Sequence, residues 1–230
     1  MMLYLDTSVK SKKDLSRLVV YFSAFFIIWA LNEIIIDPFI KENYSFIFHL
    51  LFRRIFKITV WVVPVFLYLR YVDDTNAFTF IKANKYTIKS LKWTIVGIGF
   101  YTLRSLLQLI FTPSTMISLN LGIEAWTGAV LFAGITEEIV FRGFLLEKLR
   151  RNIGFRYSNI ISSILFVLIH FPVWYMRRIL EFPSILLTMI SVFAISIFQG
   201  YIFHKGESLW SSAISHSINN LLVLAIVSKL

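Results

Sequence analysis

The sequence predicts an all-α fold, a polytopic integral membrane protein with about seven transmembrane helices, or eight if residues 44–57 also dip into the bilayer. Three observations predict it. Of 230 residues, 57% are hydrophobic and only 16% charged, with a mean hydropathy of +0.73. Soluble domains run at about 45–50% and about 25%, so this chain has more apolar surface than one buried core of its size can hide. The apolar residues also gather into runs near the ~20 residues that a crossing helix needs, and the charges collect between the runs. Finally, 23 Phe, 10 Tyr and 6 Trp exclude a disordered chain. Cysteine is absent, which removes disulfides, thiolate nucleophiles and cysteine-bound zinc together. The net charge of +10 would suit a nucleic-acid binder. Its placement between apolar runs points instead to loops at an anionic bilayer surface, and no nucleic-acid partner is expected.

The elements follow in order. Residues 1–17 are polar, with Lys10, Lys12, Lys13 and Arg17, and lead into an uncleaved first crossing at about 18–36. A cleaved signal peptide would show a shorter core and a small-residue cleavage site. Residues 44–57 mix Phe, Leu and Ile with Arg53, Arg54 and Lys57, the pattern of an interfacial amphipathic stretch. A second crossing spans 58–72 with a kink at Pro64, and a lysine-rich loop covers 73–92. The third crossing is at 93–112, followed by a loop from Pro113, and four more run at about 124–146, 157–171, 183–203 and 208–228. Residues 1–115 thus form an N-terminal set of transmembrane segments, and 120–228 a second set that holds the chemistry described next.

With the N-terminus in the cytoplasm, fourteen lysines and arginines fall inside and seven outside. The positive-inside rule therefore favours a cytoplasmic N-terminus. Arg177 and Arg178 fall on the wrong side, and Arg104 and Arg142 lie within crossings.

Ionisable groups within the bilayer are costly and are functional candidates by default. Here they cluster: Glu137, Glu138 and Arg142 in one segment, His170 at the end of the next, His216 and Asn220 in the last. At ~1.5 Å rise per residue, Glu137 lies ~15 Å from the inner end of its helix, His170 ~20 Å, His216 ~12 Å and Asn220 ~18 Å. Four polar groups from three helices share a layer under ~10 Å thick. A carboxylate beside an imidazole can orient and deprotonate a water, directly or around a metal ion. A second imidazole and an amide can hydrogen-bond the oxyanion of a tetrahedral intermediate. Glu138 and Arg142, spaced i to i+4, form a supporting ion pair. Taken singly, such residues are more often structural: an intramembrane His packs, an Asn glues helices. Their joint depth is what argues for a site. Glu33, His49, His204 and Glu207 fall near segment ends and are assigned to interfaces, while Arg104 has no evident partner.

The pattern Glu137-Glu138-x-x-x-Arg142, Phe166-x-x-x-His170 and His216-x-x-x-Asn220, with Gly206-Glu207-Ser208-Leu209-Trp210 ahead of it, resembles the CPBP family of intramembrane proteases. That family includes the type II CAAX prenyl endopeptidases and bacteriocin-processing or immunity proteins. The resemblance covers about residues 120–228. It implies that Glu137 and His170 activate a water, that His216 and Asn220 line the oxyanion site, and that Glu138 and Arg142 support them. The implied substrate is a peptide or membrane protein, prenylated or carrying a leader, reached through the lipid bilayer.

No cofactor is firmly expected, although Glu137, His170 and His216 match the three-ligand set of an open catalytic zinc site. The metal-free arrangement uses every residue once, and Asn220 favours it because amides are poor zinc ligands. Alternative readings are a non-catalytic immunity or scaffold protein and a proton-coupled transporter. The absence of internal repeats speaks against transport.

Overall fold

The computed structural model describes the backbone of residues 2–228 and the side chains of residues 14–227. Lys229 and the side chains of Lys10, Lys12 and Lys13, counted above for orientation, lie outside the described residues. Helix α1 (Met2–Leu31) passes through a wide π-type turn at Asn32–Ile36 into α2 (Asp37–Asn43). The chain extends at Tyr44, and Ser45 then caps α3 (Phe46–Lys57) by accepting the Phe48 N–H. Helix α3 does not end at the membrane surface. It continues through Ile58–Val62 into α4 (Val63–Leu67) and on to Val72. The wide turn at Ile58–Val62 runs up to Pro64, which has no N–H to donate and whose ring crowds the preceding turn. The expected interfacial stretch and the expected second crossing are therefore one rod.

A short α5 (Ala77–Phe80) follows, then α6 (Ile88–Phe111), opened by a capping box between Thr87 and Ser90. Strand β1 (Thr115–Ile117) pairs antiparallel with β2 (Ile226–Ser228) at the far end of the chain. The segment holding the acid motif is helical from Ala125: wide turns to Ala133, α7 (Gly134–Glu138), wide turns again over Ile139–Leu146, then α8 (Glu147–Leu168). The basic stretch 147–156, expected as a loop, is helical on both sides of Gly154. That glycine breaks α8 at φ 75°, a conformation that costs a residue without Cβ little. After α9 (Phe171–Met176), with Pro172 in its first turn, come α10 (Ser184–Gly206) and α11 (Leu209–Ala225), the latter capped by Ser208.

The protein is an integral membrane protein. Four helical stretches among the described residues are long and apolar enough to cross: Asp14–Asn43, Ile88–Phe111, Ala125–Met176 and Ser184–Gly206. The third has 52 residues, over ~75 Å if straight, more than twice a ~30 Å hydrocarbon core. It must double back, and Gly154 is where it turns. Outward side chains such as Phe111 (79% exposed) and Leu187 (65%) suit lipid.

Contacts sort the helix ends into two groups. At one end Lys82 meets Glu147 (3.2 Å), Lys148 meets Asp73 (2.9 Å), and the Leu209 N–H donates to the Lys82 carbonyl (3.1 Å). At the other, Arg53 reaches Glu124 (3.0 Å), Arg54 reaches Thr127 (2.9 Å), and β1 pairs with β2. Between them the core mixes both halves of the chain: Phe25, Trp61 and Leu69 pack with Val140, Phe141 and Phe144.

Candidate active site

Glycine 134 sets the site's geometry first. A Cβ at Gly134 would collide with Ser217 Oγ and lie 3.0 Å from the Ser217 backbone nitrogen. Its absence lets α7 and α11 touch, and this brings the acid motif against His216. Glu138 is fully buried and receives two groups on one oxygen: Arg142 Nη1 at 2.9 Å and His216 Nδ1 at 2.8 Å. Arg142 also donates to the carbonyl (3.2 Å) and hydroxyl (2.9 Å) of Ser196 on α10, and its guanidinium lies 4.6 Å over the Phe166 ring. The supporting pair thus anchors three helices.

Because Glu138 can only accept when ionised, His216 presents Nδ1–H to it and turns Nε2 towards Glu137, 3.9 Å from Oε2. His170 is held in the same way by a different acceptor. Its Nδ1 donates to the Phe166 carbonyl at 2.7 Å, which leaves Nε2 as the nitrogen with a lone pair in the neutral ring. The Phe166 ring stands edge-on to both imidazoles, with centroids 4.8 Å from His170 and 6.0 Å from His216. Asn220 donates one amide N–H to the Ala129 carbonyl (2.9 Å) and accepts from Asn219 (3.4 Å). A second amide N–H remains for another acceptor.

Glu137, His170, His216 and Asn220 line a single cavity of about 770 Å³. Glu138 and Arg142 sit behind its wall, buried. Arg104, on α6, does not line it, and its Nε is buried without a hydrogen-bond partner.

The same cavity holds residues that the sequence did not mark. Lys57, at the end of α3, places Nζ 3.0 Å from Glu137 Oε1, with both side chains largely buried. The ammonium also lies 4.6 Å over the Trp61 ring and 5.8 Å from that of Trp29. Glu33, assigned to an interface above, is buried and lines the cavity with Trp29 and Asn32. His49, assigned likewise, is buried against Asp37 at 2.9 Å. The missed signal was the continuity of residues 46–72: once α3 is part of a rod reaching inward, its last lysine enters the protein rather than the lipid surface.

Among the described residues, no group of three or more His, Cys, Asp or Glu side chains is disposed to hold a metal ion. Glu137, the carboxylate such a set would need, is already neutralised on Oε1 by an ammonium.

Residues 119–222 match the family model described as type II CAAX prenyl endopeptidase Rce1-like. That stretch is similar to an Rce1-like domain. The match takes in all three motifs and stops short of Lys57, Trp29 and Glu33, so the helices ahead of the Rce1-like domain furnish part of the cavity wall. The match supports a likeness to CAAX-type intramembrane proteases over that stretch. No curated protein and no solved structure matches the chain.

Proposed function

We propose that the protein is an intramembrane endopeptidase that hydrolyses a peptide bond of a membrane-associated or lipidated peptide with a water activated by Glu137 and His170. The convergence of four polar side chains from three helical segments on one cavity carries this reading. Glu137 takes a proton from the water as its oxygen adds to the scissile carbonyl. His170 Nε2 accepts a hydrogen bond from the same water. The free amide N–H of Asn220 donates to the oxyanion, and His216 Nε2–H joins it when the ring carries both protons. Collapse of the intermediate breaks the C–N bond, and the proton held by Glu137 passes to the leaving nitrogen. Lys57 supports a metal-free version, because it supplies the positive charge beside Glu137 that a metal would otherwise bring.

In this reading residues 120–228 form the catalytic core and 1–115 the segments that close it. The chain makes seven passes between the two ends of the bundle, with the N-terminus in the cytoplasm. Purified protein in proteoliposomes, incubated with a library of membrane peptides and read by mass spectrometry, tests the proposal. Discrete cleavage products lost in Glu137→Gln are expected. A Glu137-dependent ion or solute flux with no cleavage would favour the transporter, and neither would favour the immunity or scaffold protein.

A further inference from the structure

Three carboxylates line the cavity: Glu33, Glu124 and Glu137. Two of them already hold a cation, Glu124 with Arg53 at 3.0 Å and Glu137 with Lys57 at 3.0 Å. Glu33 does not. It is 7% exposed, yet among the described residues no lysine, arginine or histidine forms an ion pair with it. Its carboxylate accepts one hydrogen bond, on Oε1 from Asn32 Nδ2 at 3.3 Å, and Oε2 accepts none. The neighbouring Asn32 Oδ1 is buried and also lacks a donor. Arg53 and Lys57 carry charge that reaches Glu33, but both are engaged elsewhere, Arg53 additionally by Asp37 at 3.6 Å. A carboxylate within the bilayer is costly without a partner and marks a functional position by default.

The surroundings suit a cation brought by the substrate. Trp29 and Trp174 line the same cavity, and aromatic faces attract ammonium and guanidinium groups. The Trp29 indole N–H donates to the Ile169 carbonyl at 3.1 Å, which ties α1 to the residue before His170. The wide turn Asn32–Ile36 packs against α9 just beyond it. Glu33 follows Trp29 by four residues, ~6 Å along the helix. That is about two residues of an extended peptide at ~3.3 Å each.

We propose that Glu33 sets the specificity of the cavity by receiving a lysine or arginine side chain of the substrate, carried within about three residues of the bond that is cut. The substrate's being a cleaved peptide rests on the endopeptidase reading, whereas the cation site rests on Glu33 and Asn32. The incoming ammonium or guanidinium donates to Glu33 Oε2 and Asn32 Oδ1, two acceptors that the protein leaves without donors. Peptides lacking the basic side chain leave both acceptors unpaired, and peptides with an acidic one bring a second carboxylate against Glu33.

The probes are fluorescent, N-acetylated and C-amidated leucine–alanine peptides that carry one Lys, norleucine or Glu, its position scanned along the chain. Binding is read by fluorescence polarisation with the protein in phosphatidylcholine nanodiscs, whose uncharged surface does not itself select lysine, and cleavage by mass spectrometry. The unaltered chain should bind the Lys peptide about 10–100-fold tighter than the norleucine peptide at one position, the worth of a hydrogen bond to a charged group. Glu33→Gln should bring that ratio within about threefold, and Glu33→Lys should favour the Glu peptide. A ratio between peptides does not move when a variant merely loses folded protein. If Glu33→Gln does not accumulate, Asn32→Leu, which removes the second acceptor, should lower the ratio at least threefold. Equal binding of the Lys and norleucine peptides by the unaltered chain would overturn the inference, as would a preference that survives these substitutions. Peptides cut without regard to the lysine would overturn it while leaving the endopeptidase reading in place. A Glu33-dependent preference in binding with no peptide cut would uphold the cation site and overturn the endopeptidase reading instead.

Discussion

Replacing Lys57 by Met removes an ammonium while keeping a side chain of similar length against Trp61. The ammonium stands 3.0 Å from Glu137 Oε1, with side chains 15% and 11% exposed. At an effective dielectric of ~20, unit charges at that distance attract by about 5–6 kcal/mol, much of it offset by the desolvation of both. Breaking one partner of such a buried pair costs about 3–5 kcal/mol, because the other charge is left without a partner. For a chain of this size each kcal/mol moves Tm by ~2–4 °C, so Lys57→Met should melt ~6–20 °C lower in detergent. Glu137→Gln strands the ammonium and should lose stability in the same range. The double variant joins two neutral side chains and should recover most of the loss. Thermal unfolding of the four proteins forms a double-mutant cycle. Single losses that simply add in the double variant would refute the coupling, and with it the claim that the N-terminal helices complete the site.

The remaining predictions concern the groups around Glu137. Arg142→Met leaves Glu138 charged and fully buried and should lower stability by about 3–5 kcal/mol, measured by thermal unfolding; a change below ~0.5 kcal/mol would contradict the anchoring role. Gly134→Ala forces a methyl against Ser217 and should cost about 1–3 kcal/mol by overpacking, while peptide cleavage falls because α11 shifts His216 away from Glu138. Treatment with 1,10-phenanthroline should leave cleavage unchanged. Loss that zinc restores would replace the metal-free mechanism.

The parts of the fold and site that could be read from sequence are those set by distance along a helix. Glu137, His170, His216 and Asn220 could be placed at one depth because helical rise is fixed and each segment has an apolar boundary to count from. Glu138 and Arg142 could be paired from i, i+4 spacing alone. Lys57 could not, since an amphipathic helix ending in basic residues looks the same on a bilayer surface and against a protein wall. Only the continuation of α3 past Ile58 distinguishes them. Glu33 could not be placed in the cavity for the same reason: nearness to a segment end says nothing about which neighbour covers the residue. The role of Glu138 as acceptor for His216 depends on the contact that Gly134 permits between α7 and α11. A close approach of two helices leaves no periodic trace, and one small residue among many gives no warning of it.

The central claim is that Glu137 is the base for peptide hydrolysis, and kcat for Glu137→Gln against the unaltered chain tests it most directly. The measurement uses a peptide that the protein cleaves, after both proteins are shown to elute and melt as folded species. Glutamine keeps the size of the side chain and cannot take a proton. A loss of about 10²–10⁴-fold in kcat with little change in KM is predicted, the range that general-base catalysis supplies. Turnover within about threefold of the unaltered chain would contradict the account.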